Sequence, residues 1–501
     1  MATLFNFIPG SGLIDPGIFA EINSAGQYES KTRVLLLGHK SAAGSLAADT
    51  PTICATPGEA AQLAGVGSML YEMFRLARRQ APVQEIWISS VPVTGTAAAK
   101  TITVGALPVA GGDGVVEIAG RRIPVTVGPS EAAATTATNI AAAVNAFVDP
   151  LTLAYLPFTA TAATNVVTLT ARHAGTLANE VELFADPGIA GNIFAGTLTF
   201  ADTVPGTGAA SIAATLAAMG DELFDYLVSP FSDTANLDAA QAALSDLSGR
   251  WAWNNQLYGH YLTVNTGNTG AQTSFGLARN DRHISTLARI ASPTPSWEWI
   301  AAYAVRQVPW LADDTNGNAA RNQSDLVIEG VRPPRQRSLW PKQAVNNVLL
   351  GSGMSTFRVN AVGQVAIGKC ITMQRLNEAG LPDTVFRNIQ QIAIAAHSLR
   401  YFRAGLSYRH ANKAYARSNP GNLPSISTND DIFADLVGLH RDLVNRGILV
   451  DTEEFAKRLK VETDATNASR CNINMDLDGV DPLDIMAIGA WLYAQYPQAA
   501  A

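Results

Sequence analysis

The residues closest to a known chemistry lie in "GQVAIGKCIT", Gly363 to Thr372. Gly363, Gly368 and Lys369 reproduce the spacing of a P-loop, in which converging backbone N–H groups and a lysine cradle phosphates. Cys370 stands where a Ser or Thr hydroxyl should reach magnesium. Val365, Ile367, Ile371 and Met373 fall on alternate positions, and "RVNAVGQ" before them has the make-up of a hairpin turn. The stretch therefore predicts a strand, and no nucleotide or other cofactor is expected.

A second candidate is "NMDLDGVDPLDI", where Asn474, Asp476, Asp478 and Gly479 occupy the first, third, fifth and sixth places of a calcium loop. Ile485 takes the twelfth place, where a bidentate carboxylate is needed, and Pro482 interrupts the turn, so no metal site is expected. Nucleophilic catalysis has seven histidines to draw on but no G-x-S-x-G elbow, and "GSGMST" (Gly351 to Thr356) only loosely matches a subtilisin serine motif. Each histidine reads as a polar loop or helix residue. A serine hydrolase stays open as an alternative, because a triad is assembled in space.

These residues must be positioned by elements, and the chain has length for about three domains. "RVLLLGH", "SMLYEMFRLARRQ" and "QEIWISSV" read as strand, helix and strand. From about Val93 the composition shifts to Thr, Ala, Val and Gly, and alternating segments such as "GVVEIAGRRIPVTV" and "NVVTLTARH" predict an antiparallel insert over 93–205 with one helix near "TNIAAAVNAF". Alternating helix and strand signals resume after it, so an α/β core is discontinuous over 29–92 and 206–368. A C-terminal α+β region follows over 369–501, and its main element is one helix predicted through "TVFRNIQQIAIAAHSLRYFRAGLSYRHANKAYARS".

Val385, Ile389, Ile392, Ala396, Leu399 and Leu406 give that helix an apolar stripe. In its second half Arg400, Arg403, His410 and Arg417 share an arc, with Lys413 beside it, which predicts either a solvated face or contact with an acidic partner. Both ends of the chain read as arms. Residues 1–28 carry Ile18, Ala20 and Ile22 on one face of a short strand, and 484–495 predicts a strand apolar on both faces, including Ile485, Ile488, Trp491 and Leu492. Such strands pair within their own chain or with another chain.

Apolar residues make up 47% and charged ones 15%, a balance that leaves surface for burial against partners. A net charge of −7 and no long basic run argue against nucleic acid as a partner. No window reaches the roughly 18 apolar residues of a membrane span, and the N-terminal residues lack the pattern of a secretory signal, so folding in cytosol and no membrane insertion are expected. Cys54, Cys370 and Cys471 are far apart and odd in number, which suits reduced thiols.

Taken in order, "DPGIFAEIN", "AGVGSMLYEMF", "AGRRIPVTV", "TARHAGTLANEV", "FDYLVSPFSDTANL", "RNDRHIST", "VRPPRQRSLW", "GQVAIGKCITMQRLNEAGLPDTVFRNIQ" and "DPLDIMAIG" resemble the tail sheath proteins of Mu-type contractile phages. The resemblance implies a subtilisin-like α/β core without catalysis, an outer β-rich insert, a C-terminal domain facing an inner tube, and terminal arms that add strands to neighbouring subunits. It implies stacked hexameric rings of the chain itself, contacts with tail tube, baseplate and tail terminator proteins, assembly in the host cytoplasm and residence in the virion tail. A sheath of a phage-derived bacterial injection particle is the neighbouring alternative. The acidic "DLDGVDPLD" departs from the family pattern and blurs the start of the C-terminal arm.

Overall fold

A computed structural model describes residues 32–313 and 315–492, so Ile18, Ala20 and Ile22 lie outside the described residues. Its centre is an eight-stranded mixed sheet. The strand order is Val365–Lys369, Met354–Val359, Ile284–Arg289, His260–Thr266, Tyr226–Val228, Arg33–Gly38, Glu85–Ser90 and Thr52–Ile53. The six inner strands are parallel and the two edge strands antiparallel.

Parallel strands covered on both faces should read as unbroken apolar runs, and "VLLLG" at 34–38 does so with every residue buried. Helix Met69–Gln80 starts at Ser68, whose hydroxyl accepts from the Tyr71 amide, and is buried continuously from Met69 to Ala77. Between the first strands and Tyr226–Val228 the chain builds two antiparallel sheets. One has four strands in the order Leu198–Val204, Ala97–Val104, Val166–Ala174 and Phe158–Ala163; the other joins Arg121–Val127, Gly112–Ile118 and Leu183–Phe184. Helix Ala133–Ala146 packs Ala137, Ile140 and Val144 against them. The apolar interior of these sheets is continuous with that of the central sheet, whereas Phe402, Leu436, Leu439 and Leu443 belong to a second cluster under the C-terminal helices.

Met354–Val359 and Val365–Lys369 form a hairpin, so Gly363 is a turn residue at φ +85° and Lys369 ends a strand. A phosphate cradle needs a helix N-terminus at that point.

Three expectations need correction. The long helix spans Ile389–His410 only. Its start is delayed because Thr372 and Ile371 hold residues 386–388 extended, which leaves Val385 65% exposed and outside the apolar stripe. Its end is set by Asn412 at φ +62°, a left-handed terminator, after which Ala414–Tyr415 pairs with Ile426–Ser427. Lys413 and Arg417 are therefore off the helix. Second, residues 484–492 form no strand in the single chain, which offers them no ladder among the described residues. Third, His173 and His260 are buried on strands and so are neither loop nor helix residues, while His39 is in a loop just beyond a strand but is buried.

Candidate functional site

Of the predicted basic set, the fold splits fasteners from free charges. Arg400 ion-pairs with Asp225, donates to the Leu257 carbonyl at 2.9 Å and lies over the Tyr258 ring, so it ties the long helix to the central sheet. His410 approaches Asp435 at 3.1 Å and the Ser427 hydroxyl at 3.0 Å. Arg403, Lys413 and Arg417 are exposed and make no ion pair among the described residues.

The C-terminal segment is anchored and then released. Val480 donates to Ile448 and Gln391 donates to Asp481 at 2.8 Å. Asn322 donates to the Leu483 carbonyl at 2.9 Å, and Lys369 ion-pairs with Asp484. The lysine that completed a P-loop spacing is thus a tether for the tail. Beyond it Ile485, Met486, Ile488, Trp491 and Leu492 are each at least 75% exposed. Folded chains seldom leave a contiguous apolar run of this kind exposed.

A second unfinished element lies close in sequence. Lys460–Thr463 and Cys471–Asn474 form a two-stranded antiparallel hairpin with no further strand on either edge among the described residues. Val461, Cys471 and Ile473 pack against the C-terminal apolar cluster and leave Lys460, Glu462, Asn472 and Asn474 on the outer side. Two strands are marginal alone, and both edges present unpaired N–H and C=O groups. The alternation of "KVET" and "CNIN" around the turn "DATNASR" is the signal in the sequence that reveals it.

Sequence reasoning also missed a buried charge cluster joining the insert to the centre. One guanidinium nitrogen of Arg121 donates to both Glu298 carboxylate oxygens at 2.7 Å, and Glu72 lies 3.7 Å from it. Glu72 also accepts from Arg75 at 2.8 Å and from the Tyr155 amide at 2.9 Å. Burial pushes the Glu72 carboxyl up, opposed by Arg75 and Arg121 and reinforced by Glu298. The sequence signal is a helix, "MLYEMFRLARR", too apolar around Glu72 and Arg75 for either to reach water.

Among the described residues the hydrolase alternative finds no accessible constellation: His410 lies between Ser427 and Asp435, but Ser427 is buried and His410 Nε2 makes no hydrogen bond. Ser352 donates to Leu349 and Ser355 to Ile371, both backbone carbonyls. His260 meets Ser285 at 2.8 Å, but both are buried and His260 Nδ1 has no partner, so nothing orients the imidazole and no substrate reaches it.

These interior histidines make the fold acid-sensitive. Desolvation, then repulsion from a neighbouring histidine, lowers His39 and His260 from 6.5 to about 3. Between those values the unfolded chain holds the extra proton. Their stabilisation is complete above pH 6.5 and is lost as pH falls towards 3, at about 1.4 kcal/mol per unit for each. Thermal melts should fall between pH 7 and pH 5, with a shallower slope for His260→Gln. Equal slopes would remove His260 from this account.

Comparison with known proteins matches residues 206–373 to the family model "Phage tail sheath protein central domain". The chain is 29% identical over 486 residues to the Mu-like prophage FluMu tail sheath protein of Haemophilus influenzae, covering 94% of this chain and 96% of that protein. Among solved structures it is similar to a sheath tail protein from Desulfitobacterium hafniense, at 12% identity and TM-score 0.49, over 93% of this chain and 97% of the other. A sheath tail protein from Listeria innocua gives 12% identity and TM-score 0.46 over 90% and 92%.

Proposed function

We propose that this chain, a member of the phage tail sheath family, is the repeating subunit of a contractile sheath that polymerises around a tail tube. The family is structural and not enzymatic. The similarity to a Mu-like tail sheath protein over nearly the whole chain carries the reading. We assign the six parallel strands to the subtilisin-like core, residues 93–205 to the outer insert and residues from 369 to the tube-facing part.

In this mechanism the apolar C-terminal segment of one subunit, and the N-terminal arm with Ile18, Ala20 and Ile22 of another, add strands to the open edges of the Lys460–Thr463 and Cys471–Asn474 hairpin. Strand addition supplies backbone hydrogen bonds without requiring the subunit bodies to keep one relative orientation. Bodies linked in this way can pass from an extended packing to a lower-energy contracted one, which drives the tube without nucleotide hydrolysis. Stacked hexameric rings, a baseplate at one end, a terminator at the other and assembly in the host cytoplasm complete the proposal. Electron microscopy of the purified chain with tube protein should show stacked rings; dispersed particles under all conditions would overturn it.

Arg403, Lys413 and Arg417 are the charges left for the tube. Exposed pairs are worth about 0–1 kcal/mol each, so their effect rests on repetition along the tail. Reversing Arg403 and Arg417 to Glu should prevent sheath formation on tubes with the subunit's melting temperature unchanged. Arg400→Glu should instead lower that temperature, because the Asp225 carboxylate loses its ion-pair partner and keeps only the Arg33 amide among the described residues. Normal tube-bound sheaths from the double variant would refute the assignment.

A further inference from the structure

Between Arg33–Gly38 and Tyr226–Val228 the strand order reverses. The chain leaves the first strand towards Glu85–Ser90 and, after the insert, resumes on the opposite side. Open α/β sheets accept small molecules in the crevice beyond the carboxyl ends of the strands at such a reversal. Here that crevice is a cavity of about 670 Å³, walled by His39, Thr176, Phe231, Ser232, Asn265 and Phe275. Its size falls within the range of small-molecule sites.

His39 marks it as more than a gap. The residue is 3% exposed, and its Nδ1 donates to the Val91 carbonyl at 2.8 Å. That bond fixes the tautomer and leaves Nε2 as an acceptor, which has no hydrogen-bond partner among the described residues. Nε2 points at the cavity wall formed by Gly175, where an added Cβ would sit 3.4 Å from it. Burial, helped by His173, keeps the ring neutral. The nitrogen is thus an acceptor open to a donor that enters the crevice.

The rest of the lining selects the donor's chemistry. Among the described residues no lysine or arginine faces the cavity, and Asp233, the N-cap of helix Thr234–Ala243, brings a carboxylate to its rim. An anion is disfavoured. The side chains of Thr176, Ser232 and Asn265 make no hydrogen bond among the described residues, and Phe231 and Phe275 supply apolar walls.

We propose that this crevice binds a neutral, hydroxyl-rich ring of mono- or disaccharide size. One ligand hydroxyl donates to His39 Nε2, others exchange hydrogen bonds with Thr176, Ser232 and Asn265, and the C–H face of the ring packs on Phe231 and Phe275. The proposal stands apart from the sheath reading and is tested on unassembled full-length chain.

Saturation-transfer NMR with glucose, N-acetylglucosamine and maltose should show transfer to at least one of them. Glucose 6-phosphate should bind roughly tenfold more weakly, the cost of placing a phosphate without a cationic partner. His39→Phe should abolish transfer, and so should Ser232→Trp, which blocks the rim from a partly exposed position and keeps the test valid if the interior variant fails to fold. Absence of transfer from all three sugars, unchanged transfer in a folded variant, or equal binding of the phosphate would each overturn the proposal.

Discussion

Arg121→Met is expected to destabilise the subunit by about 3–5 kcal/mol, the range for breaking a desolvated ion pair from one side. The size follows from what stays behind. Glu298 loses two hydrogen bonds of 2.7 Å, and Glu72, 1% exposed, keeps Arg75 but loses the cation 3.7 Å away that offset Glu298. One of the two carboxyls must then take up a proton or admit water. The urea midpoint should drop sharply, and Glu298→Gln in the same chain should recover much of the loss, because the charge left unpaired is removed with it. Recovery is the discriminating result: a purely steric effect of Arg121 would leave the double variant as unstable as the single one.

The same cluster bears on the insert as a separable unit. Joining Val93 to Thr207 removes Arg121 and the Tyr155 amide, and also Glu180, which pairs with Arg289 at 3.3 Å, and Glu117, which pairs with Arg335 at 2.7 Å. A deletion that is otherwise compatible with assembly would still strand Glu298 in an apolar surface, whereas Glu72 keeps Arg75. Glu298→Gln belongs in that deletion variant from the start, with Glu72 kept for Arg75, so that failure of the fold is not mistaken for failure of the lattice.

What the sequence made legible was what short-range pattern encodes. The buried strand at 33–38, the Ser68-capped helix and the hairpin through Gly363 each follow from periodicity and local turn chemistry. Arg400 shows the limit: its position on the helix was readable, but its partner Asp225 is 175 residues away and periodicity reports a face, not what covers it. The helix end failed for a related reason. Residues 411–418 have good helical composition, yet a left-handed Asn412 and a two-residue ladder with Ile426–Ser427 outcompete it. His260 looked polar in one dimension and became interior when Ser285 arrived from the adjacent parallel strand.

Truncation after Asp484 is expected to leave a soluble subunit with an unchanged melting temperature that forms no sheath. The cut retains Lys369–Asp484 and the contacts of Asp481 and Leu483, which are the anchors of this segment among the described residues. The removed side chains Ile485, Ile488, Trp491 and Leu492 are 84%, 88%, 84% and 101% exposed in the single chain and contribute little to its stability there. Seated on a neighbour's hairpin they would count differently: about 1.5–3 kcal/mol for each large apolar side chain fully buried, and about 0.5–1.5 kcal/mol for each backbone hydrogen bond. Ordering the segment offsets part of that gain, at about 1–2 kcal/mol per residue for the backbone. The difference decides whether subunits join, and it repeats at every position in the lattice. Removing residues 1–26, with Ile18, Ala20 and Ile22, should block polymerisation in the same way, while Trp491→Asp should raise the concentration needed for assembly without abolishing it. Tubes formed by the truncated chain, or an assembled structure in which 485–492 contact only their own subunit, would defeat strand addition as the link between neighbours.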